Sequence, residues 1–270
     1  MPASRLEGTI RSLRERLART GGLLVAFSGG VDSAVVARLA HDALAGRAVA
    51  VTLDSQTFTR EELAQARSLA RFIGIRHIVL RYDELKDPHF RSNTPQRCYF
   101  CRKGMAARLL MTARRLGLLA VADGANLSDL SEHRPGIRAA TEAGIIHPLM
   151  DGRVDKQEVR RIARALGLPV HDRPSSACLS SRIPYGEEIT EEKLRRVARA
   201  EACLRGLGFR QVRVRSHGQM ARIEVDRDLL PRLFRKGTAQ RIVSRFRKLG
   251  FIYITADLEG YRSGSMDEAL

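Results

Sequence analysis

The segment Ser28–Ser33 constrains the fold and the function of this chain more than any other segment. It reads Ser-Gly-Gly-Val-Asp-Ser. The apolar run before it, 22–27, is typical of a buried parallel strand, and the run after it, 34–40, is typical of a helix. Glycines in such a turn let the backbone approach an anion closely, and the first amides of the helix point at it. The sequence therefore predicts a phosphate site here, with Asp32 reaching a cation such as Mg²⁺. The expected phosphate-binding residues are Ser28, Gly29, Gly30 and Ser33.

The turn differs from the P-loop G-x-x-x-x-G-K-[ST], because it has another spacing and no lysine. Its six residues resemble the PP-loop of the N-type ATP pyrophosphatases. That resemblance implies that ATP is cleaved between the α and β phosphates and that the substrate is adenylated.

Composition narrows the class of protein. A chain of 270 residues with 44% hydrophobic residues can build a sizeable core in one large or two modest domains. No apolar stretch approaches the ~18 to 20 residues of a membrane span, and the Arg-rich stretch 1–20 lacks the apolar centre of a secretory signal. We therefore expect a cytoplasmic protein with no membrane partner.

A net charge of +17 points to phosphate-bearing partners, namely a nucleotide, a phosphorylated small molecule or RNA. The alternative is that the arginines simply cover solvated helix faces. Aromatic residues make up 5% of the chain, which disfavours RNA because bases stack on aromatic side chains.

Strand-like and helix-like segments alternate from residue 22 to about 170, which predicts an α/β fold, a parallel sheet with helices on both faces. Strands are expected at 22–27, 48–53, 76–80 and 118–122, and 145–149 is a candidate for a fifth. Helices are expected at 59–73, 103–116 and 155–166, the last capped by Asp155. Ligands bind beyond the carboxyl ends of such strands, where Ser28, Asp54, Asp123 and Gly124 all lie.

The pattern changes after Gly186. We expect a helix over 187–207 capped by Thr190, strands at 211–216 and 221–225, a helix over 228–249 with a break at Gly237, and a strand at 251–255. The sequence thus predicts a nucleotide-binding domain, 1–186, followed by a small α+β domain, 187–270.

Three of the four cysteines suggest chemistry. Cys98 and Cys101 form a C-x-x-C pair, and Cys178 lies far downstream between Arg173 and Arg182. Three thiolates suit a [4Fe–4S] cluster with one open iron, or a zinc ion with a fourth ligand. The pair could also be a redox pair or two small buried residues. Neighbouring cations lower the pKa of a thiol, so Cys178 is also a candidate nucleophile or sulfur carrier. We interpret Cys203 as structural.

Together these motifs resemble the LarE-type ATP-dependent sulfur transferases that make the nickel-pincer nucleotide cofactor. The resemblance covers nearly the whole chain and depends on the PP-loop and on the segments 97–101, 123–126, 134–136, 174–186, 212–215 and 260–265. It implies that ATP adenylates a carboxylate of pyridinium-3,5-biscarboxylic acid mononucleotide, that sulfur displaces AMP to give a thiocarboxylate, and that the second carboxylate follows. In the best-known members a single cysteine, matching Cys178, attacks the activated carbonyl, donates its own sulfur and becomes dehydroalanine.

Cys98 and Cys101 depart from that single-cysteine pattern. Some members with this three-cysteine arrangement carry a [4Fe–4S] cluster whose open iron can hold a transferable sulfide. The resemblance therefore implies that Cys178 is either a cluster ligand or the sulfur donor, and we favour the cluster held by Cys98, Cys101 and Cys178. It also implies that Arg182 supports the substrate carboxylates or the AMP phosphate, and that the protein is a homo-oligomer.

Arg213 and Arg215 lie on one face of a predicted strand. Such a set usually marks the solvated face of a half-buried sheet. The resemblance implies instead that both bind phosphate near a subunit interface.

The main alternative function is tRNA thiolation, because some enzymes of that class combine a PP-loop with three cysteines and an iron–sulfur cluster. Two features count against it. No RNA-binding domain is recognisable, and Val31 stands where a lysine follows the glycine pair in those enzymes.

Overall fold

The computed structural model describes residues 3–131, 135–174, 177–262 and 264–265. Arg134, Ser175, Ser176 and Ser263, which belong to segments that carry the resemblance, lie outside the described residues. The chain divides into two compact units, and each is built from two stretches of sequence. The first unit comprises Met1–Glu84 and Cys98–Ser176, and the second comprises Leu85–Arg97 and Ala177–Leu270.

The helices follow one another along the chain as α1 (Ala3–Ala18), α2 (Val31–Leu44), α3 (Arg60–Ile73), α4 (Pro88–Arg91), α5 (Arg97–Arg115), α6 (Pro135–Glu142), α7 (Pro148–Asp151), α8 (Lys156–Ala165), α9 (Glu191–Gly206), α10 (Leu230–Leu233) and α11 (Lys236–Lys248). Side chains at the expected positions cap two of them: Asp155 caps α8 and Thr190 caps α9. A capping box of Thr59 and Glu62 starts α3, because each residue's side chain accepts from the other's backbone amide.

Four parallel strands form the sheet of the first unit in the order β3-β2-β1-β4. They are β1 (Leu23–Ala26), β2 (Ala48–Asp54), β3 (Arg76–Arg81) and β4 (Ala120–Ala122). The central strands β1 and β2 are apolar throughout most of their length, as expected when helices cover both faces of a parallel sheet. The predicted α/β fold is confirmed.

Two separate apolar clusters show how the helices cover the sheet. Leu23 and Val25 point to one face and pack with α1, α2, α3 and α8. Leu24 points to the other face and packs with α5 and with Ala140 of α6. Side chains of successive strand residues point to opposite faces, so a single strand contributes to both clusters. This arrangement holds the carboxyl end of β1 rigidly between helices.

A three-stranded mixed sheet, in the order β5-β6-β7, forms the core of the second unit. The antiparallel pair β5 (Val212–His217) and β6 (Met220–Val225) is followed by β7 (Tyr253–Ala256), which runs parallel to β6. Val212 and Val214 face an apolar cluster that also includes Leu204 of α9 and Phe246 of α11. The expected small α+β fold in the C-terminal region is confirmed.

Three expectations about individual elements were wrong. The fifth strand is absent from the described residues: Ile146 makes a single bridge to Ala122, and Pro148 then begins α7, since proline fits the first turn of a helix. The helix expected from residue 103 begins at Arg97, so α5 includes the C-x-x-C pair. The helix expected over 228–249 is divided between α10 and α11 by Phe234 and Arg235, ahead of the expected break.

Candidate active site

The PP-loop connects β1 to α2. Gly29 has a φ of 76°, and a Cβ there would lie 2.9 Å from the Cα of Ala66, so only glycine fits. The Ser33 hydroxyl donates to the Gly30 carbonyl at 3.1 Å and accepts from the Ser28 amide at 3.3 Å. These contacts fix the loop over the start of α2, whose first amides have no intrahelical partner. A loop of this kind can bind a phosphate.

Both carboxylate oxygens of Asp32 are held by residues from elsewhere in the first unit. The side-chain amide of Asn126 donates to Oδ1 at 3.2 Å, and the ammonium of Lys156 pairs with Oδ2. Asn126 is itself fixed, because its Oδ1 accepts from the Ser128 amide at 3.0 Å. A partly exposed carboxylate at a phosphate-binding turn is a ligand of the type that Mg²⁺ prefers.

The turn after β4 packs directly on the start of α2. A Cβ at Gly124 would lie 2.7 Å from the Ser33 amide nitrogen, so the backbone passes where a side chain would clash. Asp54, the last residue of β2, lies at the same edge of the sheet. The structure therefore brings the expected nucleotide-binding segments to one edge of the sheet.

Asp123 is a buried carboxylate with charged neighbours. Its Oδ1 bonds to His147 Nδ1 at 2.7 Å, and its Oδ2 lies 3.5 Å from the Arg102 guanidinium. The other ring nitrogen of His147 bonds to Thr141 at 2.9 Å. Burial alone would raise the pKa of Asp123, but the hydrogen bond from His147 and the Arg102 charge outweigh it and hold that pKa below its ordinary value. Asp123 is thus a fixed anion behind the turn.

Cys98 and Cys101 lie in the first two turns of α5, three residues apart, so both occupy one side of the helix. Cys98 is exposed. The Cys101 thiol donates to the buried carboxylate of Glu84 at 3.3 Å and contacts the Met105 sulfur at 3.6 Å. Two thiols at this spacing are suitable donors for iron.

Cys178 is exposed and directly precedes a 3₁₀ turn, Leu179–Arg182, in the second unit. Its sulfur lies 3.0 Å from the Ser180 hydroxyl. Cys203 differs, because it packs against the apolar cluster of the second unit and burial raises the pKa of its thiol. Of these two thiols, Cys178 is the accessible one.

Arg182 shapes the turn that carries Cys178. Its guanidinium is 2% exposed and donates to the carbonyl oxygens of Ala177 and Cys178 at 2.9 and 3.0 Å. The same group is paired with Glu201 on α9 through two nitrogens, at 2.7 and 3.3 Å. Burial would raise the pKa of Glu201, but the Arg182 charge outweighs it and keeps that pKa below its ordinary value. Arg182 therefore contacts the backbone of the cysteine turn.

Arg213 and Arg215 are 6% and 4% exposed, so they do not form the solvated face of a sheet. Arg215 makes a bidentate pair with Glu224 on the neighbouring strand, at 2.9 and 2.8 Å, and donates to the Ser181 carbonyl at 2.8 Å. Arg213 stacks over the Tyr261 ring, and burial lowers its pKa. Both guanidiniums therefore lie inside the second unit, and Glu224 compensates the charge of Arg215.

Sequence reasoning missed several residues that hold the expected ones: Asn126, His147, Lys156 and Glu201. Asn126 was recognisable in part, because it ends the segment that follows β4. The others lie in ordinary helix and strand patterns, and only the fold brings them to their partners.

Across the described ranges, no group of three or more His, Cys, Asp or Glu side chains is arranged to hold a metal ion. No helix among those residues combines the length and apolar character needed to cross a bilayer. The iron–sulfur cluster stays a prediction from the cysteine pattern.

Comparison with known proteins places these features in a family. A family model described as NAD synthase matches residues 5–121, which include the PP-loop and the four strands up to Val121. An uncharacterized protein of Synechocystis is 44% identical over 98% of this chain and 99% of its own length. A tRNA-specific 2-thiouridylase of Maricaulis maris is 30% identical, but over 57% of this chain and 47% of its own length.

The pyridinium-3,5-bisthiocarboxylic acid mononucleotide synthase of Lactiplantibacillus plantarum is 40% identical over 91% of this chain and 89% of its own length. The match therefore extends well beyond the PP-loop and through the segments that carry Cys178, Arg213 and Arg215. By this full-length similarity and by its PP-loop fold, the chain belongs to the family of the pyridinium-3,5-bisthiocarboxylic acid mononucleotide synthases.

Proposed function

We propose that this chain is an ATP-dependent sulfur transferase that converts the carboxylates of pyridinium-3,5-biscarboxylic acid mononucleotide into thiocarboxylates. The observation that carries the proposal is the PP-loop at the end of β1, in a chain 40% identical to a synthase named for the bisthiocarboxylic acid product. AMP and pyrophosphate are the other products.

The first step activates a carboxylate. An oxygen of the substrate carboxylate attacks the α-phosphorus of ATP, the bond to the β-phosphate oxygen breaks, and pyrophosphate leaves with the bonding electrons. The amides at the start of α2 stabilise the charge that gathers on the phosphates. Gly29, where a side chain would clash, and the partly exposed carboxylate of Asp32 fit a phosphate loop that binds a nucleotide with Mg²⁺. When bound at Asp32, Mg²⁺ would neutralise charge on the phosphate oxygens.

The second step brings sulfur to the activated carbonyl carbon, and AMP leaves with the electrons of the broken C–O bond. Cys178 is the residue we assign to this step, because its thiol is exposed and Arg182 fixes the backbone of its turn. If Cys178 is itself the donor, its sulfur forms a thioester. The Cβ–S bond then breaks with loss of the Cα proton, leaving dehydroalanine and the thiocarboxylate.

The alternative sulfur source is a [4Fe–4S] cluster held by Cys98, Cys101 and Cys178. Thiolate donors fit such a cluster, and the first two lie one turn apart on α5. A bound cluster with an open iron would supply sulfide without consuming a cysteine. We favour this source, because the C-x-x-C pair has no other assigned role.

The remaining assignments complete the proposal. Arg213 and Arg215 bind the phosphate of the mononucleotide, because guanidinium groups suit phosphate oxygens. Arg182, in the turn that carries Cys178, supports the substrate carboxylates or the AMP phosphate. The protein is a cytoplasmic homo-oligomer. tRNA thiolation is the less favoured, alternative function.

The test is ATP–pyrophosphate exchange, with labelled pyrophosphate, in the presence and absence of the pyridinium biscarboxylate. We expect exchange only with that compound, and none stimulated by tRNA. Exchange that needs tRNA, or none with the pyridinium compound, would refute the function.

Anaerobic purification followed by iron and sulfide assays and mass spectrometry separates the two sulfur sources. The cluster predicts bound iron and sulfide, an intact Cys178 after turnover, and loss of iron in Cys98→Ser. Cys203→Ser is the matched control and should keep its iron. A loss of about one H₂S from Cys178, without iron, would show that the cysteine is the donor.

A further inference from the structure

Thr52 is a polar residue inside an otherwise apolar stretch of β2. It is 2% exposed and follows the buried run of residues 48–51. A buried hydroxyl needs hydrogen-bond partners, because leaving it unpaired costs free energy. Thr52 donates to the backbone carbonyl of Phe27 at 2.6 Å, and its oxygen lies 2.8 Å from Nε2 of His77 on β3. That carbonyl belongs to the residue that directly precedes the PP-loop.

The chemistry of the three groups determines the direction of each hydrogen bond. The hydroxyl of Thr52 has one proton, and the Phe27 carbonyl can only accept, so the proton is used there. The hydroxyl oxygen must therefore accept from His77, which fixes the imidazole as the tautomer with a proton on Nε2. Burial and the charge of Arg67 lower the pKa of His77, so the ring is neutral at pH 7.5. The ring also packs edge-on against the ring of Phe27, with 5.6 Å between the centroids.

The hydrogen bonds continue as a chain through the PP-loop. In a trans peptide group the C=O and the N–H point to opposite sides, so holding the Phe27 carbonyl directs the Ser28 amide the other way. That amide donates to the Ser33 hydroxyl at 3.3 Å, and the hydroxyl donates to the Gly30 carbonyl at 3.1 Å. The peptide group of that last carbonyl carries the amide of Val31, which is the first residue of α2 and has no intrahelical partner for its N–H.

We propose that Thr52 and His77 are positioning residues of the PP-loop, whose hydrogen bonds fix and polarise the peptide groups that bind the phosphates. Hydrogen bonds in a chain strengthen one another, so a donor at the His77 end makes the Val31 amide a better donor to an anion. Neither residue is assigned a contact with the nucleotide. The role rests on the proposed ATP chemistry and assigns one residue each on β2 and β3 to it.

Two pairs of variants separate the hydrogen bonds from the shapes of the side chains. Thr52→Val keeps the branched shape and removes the hydroxyl, whereas Thr52→Ser keeps the hydroxyl. His77→Phe keeps an aromatic ring and removes the Nε2 proton, whereas His77→Gln keeps a side-chain N–H donor. Thr20→Val is the matched control, because the Thr20 hydroxyl also donates to a backbone carbonyl, that of Leu17 at 2.7 Å, but lies before β1 and not after it.

Calorimetric titration with inorganic pyrophosphate plus Mg²⁺ measures the effect on the loop, and titration with adenosine, which has no phosphate, measures the rest of the nucleotide site. We expect Thr52→Val to weaken pyrophosphate binding about fivefold and His77→Phe about threefold, with adenosine binding changed less than about twofold. Thr52→Ser, His77→Gln and Thr20→Val should resemble the wild type. A purely structural role would weaken pyrophosphate and adenosine binding in the same proportion and lower the melting temperature, and that result would overturn the proposal. Unchanged pyrophosphate affinity in Thr52→Val would also overturn it.

Nuclear magnetic resonance of the protein labelled with nitrogen-15 in its histidines tests the chain at its origin. At pH 7.5 we expect His77 to carry its proton on Nε2, and the loss of its signals in His77→Gln identifies them. A proton on Nδ1 alone would overturn the proposal, because the imidazole could then not donate to Thr52.

The proposed function fails separately. A wild-type protein that binds pyrophosphate but shows no exchange with the pyridinium compound refutes the substrate and leaves the roles of Thr52 and His77 standing. A wild-type protein that binds no pyrophosphate refutes both.

Discussion

Asn93 joins the two stretches of chain that make up the second unit, and its replacement tests that connection. Its side chain is fully buried, and its backbone has a φ of 53°. The amide nitrogen lies within hydrogen-bond distance of three carbonyl oxygens, those of Ile183, Pro184 and Glu187, at 3.3, 2.6 and 2.9 Å. Its carbonyl oxygen accepts from Arg97 at 2.5 Å. Asn93 thus ties its own stretch of chain to the segment after Cys178.

The expected loss can be worked out from these contacts. The amide has two protons, so it makes two good hydrogen bonds, each of about 1 kcal/mol net. The bond from the Arg97 guanidinium contributes about 2 kcal/mol more, because the donor is charged. Asn93→Gly should therefore lower the free energy of unfolding by about 4 kcal/mol. Asn93→Ala should lower it by about 1 kcal/mol more, because alanine is strained at positive φ.

Urea denaturation followed by circular dichroism measures both variants, since the chain has no tryptophan to report by fluorescence. Asn93→Gly serves as the control that isolates backbone strain from lost hydrogen bonds. A loss below about 2 kcal/mol in both variants would show that water replaces these contacts, contrary to the hydrogen-bond reasoning. If Asn93→Gly were less stable than Asn93→Ala, the expected strain of alanine at positive φ would be refuted.

Three further predictions concern other sites. Gly29→Ala should abolish nucleotide binding, measured by calorimetry, because the new Cβ would meet the backbone of Ala66 at 2.9 Å. Glu201→Gln should lower the free energy of unfolding by about 3 to 5 kcal/mol at pH 7, because Arg182 is left buried and unpaired. Because folding lowers the pKa of Glu201, the extra stability of the wild type over Glu201→Gln should be complete above pH 4.5, the ordinary pKa of this carboxyl group. That extra stability should disappear as the pH falls through the pKa that Glu201 has in the folded protein. Thr59→Ala should cost about 1 kcal/mol in urea denaturation, because α3 loses its capping box.

Each of these has its own control or contrary outcome. Gly117→Ala also has positive φ, at 67°, but nothing lies within 4 Å of its new Cβ, so it should keep nucleotide binding. For Glu201→Gln, a stability difference that stays constant from pH 7 to pH 3 would contradict the linkage. For Thr59→Ala, an unchanged unfolding midpoint would mean that solvent caps the helix equally well.

Local patterns predicted most of the fold. The apolar runs of β1 and β2, the PP-loop between β1 and α2, and the caps at Asp155 and Thr190 all depend on residues close together in sequence. The start of α5 was missed, because residues 97–102 show no apolar repeat of helical period. The fifth strand was expected because Ile145 and Ile146 form an apolar pair. In the structure Ile146 makes a single bridge to β4, and the next residue, His147, bonds to the buried Asp123.

Only those parts of the site that lie within one segment of sequence could be predicted. Ser28–Ser33 identify a phosphate loop by themselves. The pairing of Asp32 with Lys156 and of Arg215 with Glu224 depends on which elements the fold brings together. A buried arginine on an alternating strand looks like a solvated one until its partner on the next strand is known.

The two-stretch composition of the second unit has a consequence for its synthesis. Asn93 leaves the ribosome 90 residues before Ile183, the first of its carbonyl partners. At about 5–20 residues per second, that delay lasts roughly 5 to 18 s. During this time Phe90, which is 1% exposed in the finished protein, has no completed unit to bury it. Codon changes that slow translation between these residues should increase the dependence of the nascent chain on chaperones, whereas the same changes before residue 85, where the second unit begins, should not.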